Sequence, residues 1–217
     1  SSGQDTAGFF QGCSKDGAWF GDHFRDPAKK WLLIRKNADA LYFLVKQFML
    51  LRAQDPAAEI PAHWLAGTRR LADAFVRLWD QNGQFGQFVE TSTGEIIVGG
   101  STSASTAPAG LALAAQFFAD PDYLRVAQAS AQDYYMTFVQ KGYTTGGPGE
   151  ILQCPDSESA FGLLESFVVL YEVTGAAHWL EKARQQANQC FTWCVSYDFQ
   201  FPPQSTFGRL EMRTLGS

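Results

Sequence analysis

PDSESAFGLLESFVVLYEVTGAAHWLEKARQQA, residues 155–187, decides the fold. It opens with Asp156 and Ser157, short polar side chains suited to capping a helix, with Glu158 in the first turn beside the positive end of the helix dipole. From Ala160 to Val173 apolar residues cover most of the helical circumference, and Thr174-Gly175-Ala176-Ala177 then makes a short turn. The following segment carries one apolar stripe, Leu180, Ala183, Ala187, Cys190, Phe191 and Cys194, against a wet side of Glu181, Lys182, Gln185, Gln186 and Gln189. Two helices joined so tightly lie antiparallel, the apolar one inside and the striped one outside.

The same alternation extends along the chain. Helices are predicted over about 28–54, 62–81, 105–119, 122–140, 158–174 and 177–196, with the first, third and fifth apolar on most sides and the others striped. Each outer helix opens on an aromatic-Leu pair, at Trp64, Tyr123 and Trp179, so three copies of an αα-hairpin are expected. Strand signal is confined to QFGQFVETSTGEIIVGG, residues 84–100, where two β-prone runs flank Thr91-Ser92-Thr93-Gly94 as in a small hairpin. The predicted class is all-α, a toroid-like array of about three αα-hairpins in one domain covering 1–217.

Connections alternate as well. Inner-to-outer turns are short (DPAAEI, ADPD, TGAA), whereas Gly12–Pro27, Gly83–Ser103, Gly142–Asp156 and the segment from Ser196 onward are long. Long loops on a rigid scaffold are where binding and catalysis concentrate, so one rim of the array is the expected functional face.

Composition narrows the partners. The chain has 217 residues, 46% hydrophobic and 18% charged, enough for a well-buried core. With a net charge of -5 and no basic cluster beyond pairs such as Lys29-Lys30 and Arg69-Arg70, nucleic acid is not an expected partner. The apolar stretch around WLLIRKNADALYFLVKQFMLL is interrupted by Arg35, Lys36, Asn37, Asp39 and Lys46, so no membrane span is expected. Absence of an initiator methionine and of a leader pattern is expected of a processed or truncated polypeptide, and leaves the compartment open. Cys13, Cys154, Cys190 and Cys194 lack zinc-ligand spacing; buried free thiols are expected, with a Cys13–Cys154 disulfide as the alternative. Neither a metal nor an organic cofactor is expected.

The phrases DGAWFGDHFRD, DQNGQFGQFVE, GGSTSASTAPAGLALAAQFFADPDYLRVAQASAQDYY and PDSESAFGLLESFVVLYEVTGAAHWLEKA resemble the six-hairpin glycosidase superfamily. The resemblance covers most of the chain and implies an (α/α) toroid acting on carbohydrate, most simply as a glycoside hydrolase. A full toroid needs six hairpins and three are present, so the array is expected to pair with a second chain, a second copy or the rest of a longer polypeptide. Otherwise the apolar sides of the inner helices would lie exposed.

Glycoside hydrolysis uses two carboxyl groups, one protonated and one ionised. Rim acids include Asp16, Asp22 and Asp26, then Glu90 and Glu95, then Glu150, Asp156 and Glu158, and finally Asp198. Asp156, Glu158 and Asp22 are the catalytic candidates, and Asp156 reads also as a helix cap. Trp19 is a candidate stacking platform, and His23 lies in the same aromatic and acidic loop. Arg35 and Asp39, four apart on one helical face, read either as an internal ion pair or as cavity-wall contacts to a sugar hydroxyl or carboxylate. Gln87, alternating with Phe85 and Phe88, is a candidate saccharide contact. The expected substrate is an oligosaccharide or a uronic-acid-containing sugar. A lyase or epimerase on the same fold, using His23, Tyr143 or Tyr197, and a non-catalytic sugar-binding or scaffold fragment are the alternatives.

Overall fold

The computed structural model describes residues 7–13, 17, 19–20, 31–147 and 152–217. Among them, α1 (Ile34–Gln54), α3 (Ala107–Phe118) and α5 (Ser157–Thr174) form an inner row in which α3 packs against both neighbours. The outer helices α2 (Ala62–Asn82), α4 (Pro121–Thr137) and α6 (Ala177–Phe191) each follow their inner partner, giving three αα-hairpins. A short α7 (Thr206–Arg209) lies in the C-terminal segment.

The inner row is tight because glycine stands where the helices approach. A Cβ on Gly110 of α3 would meet the Tyr42 backbone nitrogen at 3.0 Å, and one on Gly162 of α5 would lie 2.4 Å from Ser105 Oγ and 2.9 Å from Thr106 Cγ2. Alanine would favour the isolated α5 helix by about 1 kcal/mol. Overpacking a well-filled contact costs more, about 1–3 kcal/mol. Gly162→Ala is therefore expected to lower stability, and urea unfolding would detect it as a reduced midpoint at unchanged slope; a raised midpoint would contradict the packing argument.

Outer helices hold to the row through aromatic packing and to one another through polar ties. Phe85 sits among Phe75, Trp79 and Tyr134, while Phe167 of α5 stacks on Trp179 of α6 at 6.1 Å. Arg125 of α4 makes a two-pronged contact with Asp80 of α2, both bonds 2.9 Å, and Tyr135 of α4 donates to Gln185 of α6 at 2.8 Å.

The structure departs from the sequence expectations at three helix ends. The first helix, expected from residue 28, begins at Ile34, because Trp31–Leu33 forms strand β3. That strand pairs antiparallel with β4 (Phe88–Glu90), which in turn pairs with β5 (Ile96–Val98). The expected hairpin is thus the larger part of a three-stranded sheet, and β1 (Gly12–Cys13) with β2 (Trp19–Phe20) adds a separate two-stranded ribbon. Trp31-Leu32-Leu33 suits helix or strand equally by propensity, and the free edge of β4 settles it. The fourth helix ends at Thr137 and gives way to a 3₁₀ turn over Val139–Lys141. The sixth stops at Phe191 rather than near 196, since Val195 exchanges backbone hydrogen bonds with Gly216 and Ser217. The Cys154 thiol is free, so the Cys13–Cys154 disulfide does not form.

Among the described residues no helix is long and apolar enough to cross a membrane. The open side of the inner row shows Phe43, Leu50 and Phe161 to solvent.

Candidate active site

The connecting segments that lead into α3 and α5 meet at the N-termini of those helices, and the joint between them is almost entirely polar. Ser101, Thr102, Ser103 and Ser105, in the stretch leading into α3, are buried. Ser101 Oγ donates to the Thr145 carbonyl at 2.7 Å, and the Thr145 amide donates to Thr102 Oγ1 at 2.8 Å, which clamps residues 144–147 against this stretch. From α5, Ser166 Oγ accepts from the Ala109 amide at 3.1 Å and donates to the Ser105 carbonyl at 2.6 Å. A side chain of one helix thereby satisfies an amide left over in the first turn of another.

This frame holds Asp156. Its Oδ1 accepts from the Ser159 amide at 2.6 Å, the N-cap bond of α5. Its Oδ2 accepts from the Gly146 and Gly147 amides at 2.6 and 2.9 Å. A Cβ on Gly146 would lie 1.6 Å from Ser159 Oγ and 2.6 Å from Asp156 Oδ2, so only glycine lets that backbone come so close. Arg35, in the first turn of α1, reaches across with Nη1 3.8 Å from Asp156 Oδ1, while its other amino group pairs with Glu158. The two acids differ sharply in access: the Asp156 side chain is 9% exposed and that of Glu158 is 62% exposed. Arg35 Nη1 is buried and has no hydrogen-bond partner among the described residues, and the same is true of Ser159 Oγ, Thr145 Oγ1 and Ser103 Oγ.

The structure thus brings together Arg35, Asp156 and Glu158 from the sequence-derived set. Arg35 does not pair with Asp39: it turns to the two acids of α5, and Asp39 accepts from Thr106 Oγ1 at 2.7 Å beside the start of α3. Gln87 departs from the expectation of a saccharide contact, because its side chain is fully buried and its Oε1 accepts from the Gln153 amide at 2.9 Å. Its neighbours Phe85 and Phe88 are buried too, so this strand closes the rim rather than lining an opening. Glu90 is engaged in its own turn, where Ser92 and Thr93 donate to it; burial alone would push its carboxyl up, but these bonds outweigh that and hold it below the ordinary glutamate range. Trp19 is 42% exposed on the β1–β2 ribbon. Asp22 and His23 lie outside the described residues, as do Asp16, Asp26 and Glu150. Among the described residues no group of three His, Cys, Asp or Glu side chains is placed to hold a metal ion.

Sequence reasoning missed the clamp between residues 101–103 and 144–147 and the double role of Arg35. The dense run of small hydroxyl side chains in GGSTSAST, residues 99–106, was a usable sign of a buried polar joint.

No protein-family model matches the chain, and no curated protein matches it. Among solved structures it is similar to the GH76 alpha-mannanase of Bacteroides thetaiotaomicron, at 16% identity and a TM-score of 0.58, over 86% of this chain and 46% of that one. The chain therefore spans just under half the length of that protein. At this identity the likeness bears on the fold alone, an (α/α) toroid-like array with three αα-hairpins among the described residues.

Proposed function

We propose that the chain belongs to a glycoside hydrolase and supplies one wall of its active site, with Glu158 as an acid/base group and Arg35 as the cation that orients it. The observation that carries this reading is an exposed carboxylate, fixed by a mostly buried arginine, where the long segments leading into α3 and α5 meet. Asp156 serves this site from behind: both of its oxygens are engaged, so it positions Arg35 and the 146–147 backbone instead of meeting the substrate. The second carboxyl comes from the opposite wall, either from the segment that holds Asp22 or from the other half of the toroid. That other half, a second copy or the remainder of a longer polypeptide, also covers Phe43, Leu50 and Phe161 on the open inner face.

One solved structure similar in fold is an alpha-mannanase, so α-mannan is the first substrate to try. The test is release of new reducing ends from α-mannan and from a panel of gluco-, galacto- and uronic-acid oligosaccharides, with the chain in its complete polypeptide. Cleavage accompanied by a product absorbing in the near ultraviolet would replace hydrolysis by elimination. No turnover of any member of the panel would overturn the enzymatic reading.

A further inference from the structure

Between the C-terminal ends of the outer helices α2 and α4 lies a cavity of about 230 Å3, and Arg35, Asp156 and Glu158 take no part in its lining. One wall is the end of α4, where Asp133 and Thr137 stand beside Tyr134 and Phe138; the other is built from Gln84, after α2, and Ser101, before α3. That second wall is tied down. Gln84 Oε1 accepts from the Gly100 amide at 2.8 Å, and Ser101 Oγ is committed to the Thr145 carbonyl.

A charge in the α4 wall has no counterpart. Asp133 is half-buried, and among the described residues its one hydrogen bond comes from a neutral donor, Thr137 Oγ1, at 3.2 Å. No Lys, Arg or His among those residues pairs with it. Burial therefore pushes its carboxyl above the ordinary aspartate range, and Thr137 draws it back only in part. The phenol of Tyr134 is raised too, first by burial and then by the negative charge of Asp133. A carboxylate removed from water in this way ordinarily faces a cation.

We propose that this cavity is a binding site for a small organic cation, a primary ammonium compound with a compact apolar body, whose NH3+ group pairs with Asp133 and whose body rests against Tyr134 and Phe138. The ammonium has three protons to place. One goes to the free Asp133 oxygen and one to the Thr137 oxygen, whose own hydrogen already points to Asp133; the third is left to water. A cavity of 230 Å3 lies below the roughly 300–1,000 Å3 typical of drug-sized ligands, which keeps the body compact. Calcium suits the site less well, because it takes about six to eight oxygen ligands and Asp133 is the single carboxylate among the lining residues. The proposal is independent of the hydrolase reading.

Calorimetric titration of the complete polypeptide with butylammonium and benzylammonium, with butanol and benzyl alcohol as uncharged counterparts at constant ionic strength, tests the site. Each ammonium compound is expected to bind at least about tenfold more tightly than its alcohol, as a hydrogen bond to a charged partner allows. Asp133→Asn should erase that preference without lowering the melting temperature, since it removes a charge that nothing in the protein balances. Thr137→Lys, which carries an ammonium one helical turn from Asp133, should block both compounds and raise the melting temperature, and it decides the matter if the asparagine variant does not fold. Absence of binding to the wild type, equal binding of amines and alcohols, a preference that survives Asp133→Asn, or displacement of the amines by calcium chloride would each overturn the proposal.

Discussion

Replacing Asp156 by alanine is expected to lower the unfolding free energy by about 3–5 kcal/mol, the range for breaking a buried charged pair. The carboxylate is the N-cap of α5, and loss of a cap costs about 1 kcal/mol. It also accepts from Gly146 and Gly147, and each buried amide left without an acceptor costs about 1–3 kcal/mol. Arg35 would then keep its charge in a mostly buried place with only the exposed Glu158 beside it. These contributions share partners and do not simply add, which is why the expected total stays below their sum. Asp156→Asn keeps the shape and one acceptor oxygen but turns an amide toward a backbone donor, so an intermediate loss is expected. Urea unfolding of the three proteins provides the check, and a loss under about 1 kcal/mol for alanine would show that Asp156 is only an ordinary cap.

For Glu158→Gln the balance is reversed. Its side chain is mostly in water and its pairing with Arg35 is partly solvated, so the stability change should stay within about 1 kcal/mol. Turnover of the preferred glycan should nevertheless fall by about 10²–10⁴, the usual contribution of a positioned acid or base. The amide preserves size and hydrogen-bonding capacity but cannot exchange the proton. Steady-state kinetics beside a melting curve separates the two effects: a large fall in kcat with an unchanged melting curve supports the proposal, whereas equal turnover removes Glu158 from the chemistry. Taken together, the two variants divide a neighbouring pair of acids into one that holds the site and one that uses it.

Much of the fold was readable in advance because it depends on local periodicity. Residues 155–187 announced an inner and an outer helix through the spacing of their apolar side chains, and the helix observed from Ser157 to Thr174 falls within a residue of its expected start. The N-cap role of Asp156 was equally legible, since capping is decided within one turn. Gln87 shows where this stops. Its alternation with Phe85 and Phe88 is the same whether a strand borders a cavity or seals one, and only the approach of Gln153 and β3 decides that it is sealed.

Arg35 and Asp39 mark the same boundary at the candidate site. Their four-residue spacing puts them on one face, which is all that helical geometry specifies; the choice of partners falls to whatever packs alongside, here Asp156 and Glu158 for one and Thr106 for the other. By itself, the sequence determined three αα-hairpins, the inner and outer assignment of their helices and the rim on which polar residues gather, because these follow from contacts a few residues apart. Only the tertiary structure decided that Trp31–Leu33 is a strand, that Asp156 is enclosed and Glu158 open, and that Tyr42 meets Lys46 and Glu165. Each of those outcomes depends on elements far apart in the chain, whose approach is set by close packing at Gly110, Gly146 and Gly162 and not by any local preference.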